Sequence, residues 1–418
     1  MKLTRALVGQ ASVALAEMLA FSGPADEVLS RFFRQHRSLG RQDRAVVAEA
    51  TFAVLRRKRS LAAAAGSEAP RNLLIAALVR VMGFSGRALE EVLKPDEYEL
   101  VGRLRGFRLD AQPAAVRADL PDWLWERLAA EHGDEEAMRI AQSLLNPAPL
   151  DLRVNLARTG REETLSKLAV DGLPGEATPY SPAGIRLPGK PAINRHPLFS
   201  DGLIEVQDEG SQLLAWLVAP RRGEMATDYC AGAGGKTLAL AMLMRGTGRL
   251  YAMDVSARRL AALAPRAARA GVTSVHPIVL TGDNDPRVKR LAAKMDRVLV
   301  DAPCSGFGTL RRNPDLKWRH GPAAIAELAQ KQAHILESAA RLVKPGGRLV
   351  YATCSVLPEE NDAVADAFAA RHAEFKPVSC GEILASQRLP LDTGPRLRLW
   401  PHLHGTDGFF AAAFERAR

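Results

Sequence analysis

The sequence predicts an α/β protein: a doubly wound, mostly parallel sheet preceded by a small α/β subdomain and an all-α domain. Three observations carry this. From Val206 onward, short apolar runs alternate with helical stretches, the pattern of βαβ units. Over the first 140 residues, Leu/Ala/Val-rich helical segments follow one another and strand-like alternation is nearly absent. Between the two, near Asn146-Pro147-Ala148-Pro149, the texture changes to one short alternating run and a Pro/Gly-rich stretch.

Residues 1–140 read as one compact helical domain. Lys2 and Arg5 before an Ala/Leu-rich run loosely suggest a signal peptide, but Gln10, Ser12 and Glu17 interrupt the run at helical spacing, which predicts an amphipathic helix instead. Further helices are expected at 72–82 and 121–131, with Ser22-Gly23-Pro24 and Gly83-Phe84-Ser85-Gly86 as breakers. In the subdomain, 145–205, residues 150–154 alternate as a strand, 162–170 as a helix, and 172–197 are rich in Pro and Gly. The doubly wound domain, 206–418, has strands expected at 226–229, 250–254, 275–279, 297–301 and 348–353, and a closing strand at 408–414. Helices are expected between them at 237–244, 257–270, 288–294 and 323–343.

The composition narrows the function. The chain has 418 residues, 47% hydrophobic and 25% charged, which excludes a wholly disordered chain. Its apolar stretches, such as 73–79, fall well short of the ~20 residues that span a bilayer, so no membrane partner is expected. The four cysteines, Cys230, Cys304, Cys354 and Cys380, are too few for a disulfide scaffold. They lack C-x-x-C spacing and a His cluster, so no metal is expected and free thiols in the cytoplasm fit best. The net charge is +10, of which residues 1–66 hold +6. Arg31, Arg34, Arg37, Arg41 and Arg44 recur at helical steps, and Arg56-Arg57-Lys58-Arg59 follows. Such steps share one helix face, which suits phosphate backbones; a solvated surface is the other reading.

Three motifs fall where a doubly wound sheet binds ligands, at the carboxyl ends of its strands. The first is Asp228-Tyr229-Cys230-Ala231-Gly232-Ala233-Gly234-Gly235-Lys236-Thr237, between a strand and a helix. Its glycines permit a tight turn, and the helix N-terminus presents free N–H groups. Asp254 ends the next strand, where nucleotide-binding folds place an acid on ribose. A phosphate-binding P-loop would need glycine at position 230, which is Cys230, and a dinucleotide loop would need it at 237, which is Thr237. Both fail by one residue, leaving an adenosine-containing cofactor without a pyrophosphate. The other motifs are Asp301-Ala302-Pro303-Cys304 and Thr353-Cys354-Ser355, each ending an apolar strand. A single cysteine is usually a small buried hydrophobe; two at the functional edge point to chemistry, while Cys230 and Cys380 keep the bland reading.

These motifs in order, with the closing His404-Gly405-Thr406-Asp407-Gly408-Phe409, resemble the Sun family of RNA 5-methylcytosine methyltransferases, over roughly 120–418. Leu152-Arg153-Val154-Asn155 and Val206-Gln207-Asp208-Glu209-Gly210-Ser211 also match. Residues 1–140, with Gly40-Arg41-Gln42-Asp43-Arg44, resemble the NusB-like RNA-binding domain of the RsmB branch. One departure is Gly232-Ala233 where the family usually has Ala-Pro, which implies a less preorganised loop with its backbone donors kept.

The resemblance implies a Rossmann-like class I methyltransferase that carries a methyl group from S-adenosylmethionine to carbon 5 of a cytosine, most simply in small-subunit ribosomal RNA, naked or within a subunit precursor. Transfer RNA or another RNA as substrate, or a non-catalytic RNA-binding assembly factor, are the alternatives, and a monomer is expected. Cys354 would add to carbon 6, Cys304 would assist release, and Asp301 would hydrogen-bond the cytosine edge. Cys230, Ala231, Gly232, Ala233, Gly234, Gly235, Lys236 and Asp301 would surround the cofactor, with Asp254 on the ribose and Asp283, or its neighbour Asp285, near the adenine. A free thiol is only a few per cent ionised at neutral pH, so the site must activate Cys354.

Overall fold

The structure, a computed structural model, describes residues 3–95, 97–282 and 285–418. Asp283, the expected adenine contact, and Lys2 lie outside the described residues. The chain forms two compact units. One comprises Met1–Pro147 with Thr309–Pro322, the other Ala148–Gly308 with Ala323–Arg418.

Among its described residues the first unit is helical, with no strand. The helix Arg5–Leu19 starts where Thr4 Oγ1 accepts the Leu7 N–H at 3.1 Å, an N-cap, and buries Leu7, Ala11, Leu15 and Met18 at helical spacing. The expected basic face is divided. Arg31 and Arg34 belong to the helix Ala25–Gln35, whereas Arg41 and Arg44 open the helix Arg41–Ala65 after a break that ends at Gly40. Arg34, Arg37 and Arg44 still converge, with Ser30 and Phe33, on a recess of about 540 Å³.

The run Arg56-Arg57-Lys58-Arg59 departs further from expectation, because the long helix kinks at Arg57. The kink frees backbone groups that must find partners. Asp119, fully buried, accepts the Ser60 N–H at 2.8 Å and its hydroxyl at 2.7 Å. The Arg56 carbonyl accepts from Lys317 Nζ at 2.8 Å, and the Leu55 carbonyl accepts from Trp318 Nε1 at 2.7 Å. Arg56 itself donates to the Arg311 carbonyl at 3.1 Å, and Arg59 to the Leu120 carbonyl at 2.7 Å. Part of this basic run therefore holds the unit together.

The second unit contains two sheets. The smaller is antiparallel, with order β2-β3-β1-β4: β1 Leu150–Val154, β2 Glu176–Ala177, β3 Gly184–Leu187 and β4 Ile204–Val206. The helix Arg161–Val170 accompanies it, and the segment lies within the second unit. The larger sheet contains β5 Met225–Asp228, β6 Arg249–Asp254, β7 Val275–Val279, β8 Met295–Asp301, β9 Val343–Thr353, β10 Phe375–Val378, β11 Leu397–Leu399 and β12 Phe409–Arg416. Its order is β10-β12-β9-β8-β5-β6-β7, with β11 on β12. The five strands from β9 to β7 are parallel; β12 runs antiparallel to β9. Apolar layers cover both faces, with Leu213, Leu214 and Leu240 in one and Leu336, Ala339 and Phe368 in the other.

Chain order reverses between β5 and β8, so their carboxyl ends open the crevice in which such sheets bind ligands. The expected helix at 257–270 breaks at Ala262 into Ala257–Ala261 and Leu263–Arg269; Pro265 cannot supply the N–H that would close on the Ala261 carbonyl. Among the described residues no helix is long and apolar enough to cross a membrane.

Candidate active site

The glycine loop leaves β5 at Asp228 and enters the helix Gly235–Leu243 through Gly234, whose φ is +86°. A Cβ there would lie 2.2 Å from Leu263 Cδ1, so glycine is required by both conformation and space. Asp254, at the end of β6, fixes the turn. Its Oδ2 accepts the Gly232 N–H at 2.8 Å and its Oδ1 the Ser256 N–H at 2.7 Å. Two arginines hold the loop's carbonyls, Arg266 on Ala233 at 2.5 Å and Arg153 on Gly235 at 2.8 Å. Arg153 also bonds the Gln207 side chain, and burial pushes its guanidinium down to about 10. The loop that lacks the family's proline is thus pinned by side chains from β1 and from the helix Leu263–Arg269.

The other two motifs meet at the ends of adjacent strands. Asp301 of β8 is in register with Ala352 of β9, so the loops beyond them run side by side. They bring Cys304 Sγ within 3.3 Å of Cys354 Sγ. Lys236 Nζ pairs with Asp301 Oδ2 at 2.7 Å and lies 5.7 Å from the centre of the Phe409 ring. Burial opposes the Lys236 charge, yet the charge and hydrogen bond of Asp301 beside it hold the ammonium above its ordinary range. The Cys304 thiol is pushed well up by its hydrogen bond to Cys354 and by burial. Burial does the same to Cys230, reinforced by Asp228, Asp301 and Asp254. Cys380 is fully buried and pushed up to about 11, as suits an inert core residue. The Gly308 N–H donates to the Cys354 carbonyl at 2.8 Å, and the Gly408 N–H to Gly308 at 2.8 Å, which seats the His404–Phe409 motif against the Cys354 loop.

Comparison with known proteins settles what kind of enzyme this is. Residues 215–415 match the model of the 16S rRNA methyltransferase RsmB/F family, and residues 120–194 match the ferredoxin-like domain of RsmF/B-like methyltransferases. A probable ribosomal RNA small subunit methyltransferase B of Synechocystis sp. is 39% identical over 299 residues, 71% of this chain and 67% of that protein. The corresponding probable protein of Bacillus subtilis is 33% identical over 353 residues, 81% of this chain and 76% of its own. The chain belongs to the RsmB/F methyltransferase family. Among solved structures, that of PH0851 is 28% identical, with a TM-score of 0.81 over the whole of both chains.

The cofactor of an RsmB/F methyltransferase is S-adenosylmethionine, and the residues present fit it. Asp228 is buried; Thr237 Oγ1 donates to its Oδ2 at 2.7 Å, while Oδ1 has no hydrogen-bond partner among the described residues. Burial pushes this carboxyl up to about 7, although the Thr237 hydrogen bond works the other way. Asp228, Asp254 and Asp301 thus end three neighbouring strands at one sheet edge, where carboxylates suit a cofactor carrying a sulfonium and an ammonium.

Asp285 is otherwise engaged. It caps the helix Pro286–Arg290 and accepts the N–H of Thr281 at 2.9 Å and of Arg287 at 2.8 Å; the Arg287 guanidinium holds its carboxyl far below the ordinary range. The structure also brings to the two cysteine loops residues that sequence reasoning passed over. Glu360, Asn361 and Gln332 are buried behind the two cysteine loops. The available signal was the polar run Glu359-Glu360-Asn361 a few residues beyond a strand end, directly ahead of an Ala-rich helix.

Proposed function

We propose that this RsmB/F methyltransferase methylates carbon 5 of one cytosine in 16S ribosomal RNA through a covalent bond from Cys354 to carbon 6. The observation that carries the reading is the 3.3 Å approach of two thiols at adjacent strand ends, beside the Lys236–Asp301 pair. Carbon 5 of cytosine is a poor nucleophile. Addition of the Cys354 thiolate to carbon 6 makes it enamine-like, which splits one hard step into easier ones. Bound S-adenosylmethionine supplies the methyl group. Asp301 hydrogen-bonds the Watson–Crick edge and favours charge build-up on the ring, while Lys236 neutralises Asp301 and faces Cys354. Transfer of the carbon 5 proton to water and breakage of the sulfur–carbon 6 bond, its electrons returning to sulfur, then restore the thiolate, a release that Cys304 assists. The target base must be unstacked to reach these groups.

Asp254 holds the ribose, and the loop from Cys230 to Lys236 encloses the rest of the cofactor. The N-terminal helices, read as NusB-like, grip RNA phosphates, and the arginine recess at Arg34, Arg37 and Arg44 supports this. The enzyme acts as a monomer in the cytoplasm.

Bisulfite sequencing of RNA from a deletion strain tests the reading. One protected cytosine in 16S RNA should become convertible, and wild-type protein but not Cys354→Ala should restore its protection. A mark lost from transfer RNA instead would move the substrate. No lost mark anywhere would overturn the enzymatic reading.

A further inference from the structure

The two cysteine loops close over one buried carboxyl group. Glu360 lies just past β9 and is fully buried. Its Oε1 accepts the Ser305 N–H at 2.8 Å and the Gln332 amide at 2.9 Å. Its Oε2 accepts the Ser305 hydroxyl at 2.5 Å and the Ser355 hydroxyl. Ser305 follows Cys304 in the chain and Ser355 follows Cys354, and their hydroxyl oxygens lie 3.2 Å apart. Gln332 donates as well to the carbonyl of Pro303, on the other side of Cys304, at 3.0 Å. Beside Glu360, Asn361 accepts the Thr353 hydroxyl at 2.5 Å and donates to the Ser355 carbonyl at 3.1 Å. The residues flanking each thiol are therefore tied to one buried group.

An ionised carboxylate is the side chain this arrangement calls for. It accepts on both oxygens and donates nothing, so four donors from three segments can converge on it, and bonds to a charged acceptor are shorter and stronger than neutral ones. Filling the space behind the loops would need only an apolar residue of similar size.

We propose that Glu360 is a positioning residue of the active site, a clamp that holds the Cys304 loop against the Cys354 loop so that both thiols reach one base. This rests on the two-thiol reading above.

The test compares Glu360→Ala and Glu360→Gln on two independent readouts. The first is the rate at which diamide, a thiol oxidant, joins Cys304 to Cys354, followed by peptide mass mapping; it reports thiol geometry whatever the thiols do in catalysis. Each thiol gives up a proton, the sulfurs join, and the diazene is reduced to the hydrazine. The second is kcat on RNA, with cofactor affinity by calorimetry alongside.

Glu360→Ala should slow bridging and lower kcat by about 100-fold, the effect of a misplacement near 1 Å, with cofactor affinity unchanged. Glu360→Gln, which keeps the shape but must turn its amide group toward two of the four donors, should fall between Glu360→Ala and wild type on both. If Glu360→Ala does not fold, Ser355→Ala removes one strut of the clamp and should lower both rates in the same direction. Bridging at the wild-type rate in Glu360→Ala, or in Ser355→Ala, overturns the clamp, as does a loss of kcat matched by an equal loss of cofactor affinity. An active Cys354→Ala enzyme would instead overturn the cysteine reading, and the bridging rates would still judge Glu360.

Discussion

Replacing Asp254 with alanine tests the cofactor site at the residue that does two things at once. Each carboxylate oxygen already accepts one backbone N–H, from Gly232 at 2.8 Å and from Ser256 at 2.7 Å, and the side chain is only 6% exposed. Each oxygen keeps a second lone pair, and these are the acceptors available to ribose hydroxyls. A hydrogen bond to a charged group is worth about 1.5–3 kcal/mol, so removing the ribose hydrogen bond alone should weaken S-adenosylmethionine binding by about ten- to 150-fold. The Gly232 turn, at φ +55°, also loses its anchor, which weakens binding further because the loop must then be ordered as the cofactor binds. Asp254→Asn should fall between. Its oxygen can serve one backbone N–H, but its amide must then face the other donor. Titration calorimetry on the apo protein reads the affinities, and thermal unfolding without ligand checks that the variants are folded. An affinity for Asp254→Ala within about twofold of wild type, less than ~0.5 kcal/mol, would remove this residue from the cofactor site.

The two thiols should separate on one denaturing gel: Cys304→Ala should accumulate a cofactor-dependent protein–RNA complex, and Cys354→Ala and the double variant should form none, because release follows addition. The reverse pattern would make Cys304 the nucleophile. Replacing Arg34, Arg37 and Arg44 together with alanine should weaken RNA binding and flatten its salt dependence by about one unit of slope for each phosphate no longer neutralised; an unchanged slope would take the recess out of the RNA surface. Deleting residues 1–140 is the coarser experiment, since it strips Lys317 and Trp318 of their partners at Leu55 and Arg56. For Asp228, a folded-state value near 7 against an ordinary 3.8 means that the folded protein keeps a proton the unfolded chain releases. Its contribution to stability is full below about 4 and is lost as pH rises through 7. The melting temperature of Asp228→Asn relative to wild type should therefore climb across that window and level off above it, and a flat difference would show that Asp228 ionises normally.

Much of this was legible in the sequence because the parallel strands are short apolar runs that end in chemistry-bearing residues. Residues 275–279 coincide with β7, and the ends of β6, β8 and β9 at Asp254, Asp301 and Thr353 fall where the motifs place them. Less legible were strands that depend on a neighbour. β10 carries Pro377 and β11 has three residues; both are defined by pairing with β12, which no local pattern announces. The arginine run at 56–59 misled because charge spacing cannot reveal a kink whose freed carbonyls are taken by Lys317 and Trp318, some 260 residues away in the chain. At the site, Glu360 went unread for a similar reason. An acid just past a strand looks like surface until the fold stacks two serines and a glutamine over it.

Three of the four thiols stand at one sheet edge, yet the proposed reaction needs only one of them to attack, and the surrounding charges distinguish them. Cys230 is buried among the fields of Asp228, Asp301 and Asp254, each of which disfavours a second negative charge. Cys304 faces Cys354 on one side and the charge of Glu360 on the other. Cys354 is the thiol that stands near the Lys236 ammonium, and that same ammonium is held by Asp301. A cytosine that draws the Asp301 carboxylate onto its own edge would loosen Asp301 from Lys236 and leave more of the lysine's charge facing Cys354. On this view the pair couples base recognition to thiolate stability, and a base with an acceptor at position 4, as uracil has, in place of the cytosine amino group gains neither. Lys236→Met should consequently reduce discrimination between cytosine and uracil in formation of the covalent complex as well as its rate. A variant that slowed both bases equally would show that Lys236 acts on the thiol alone.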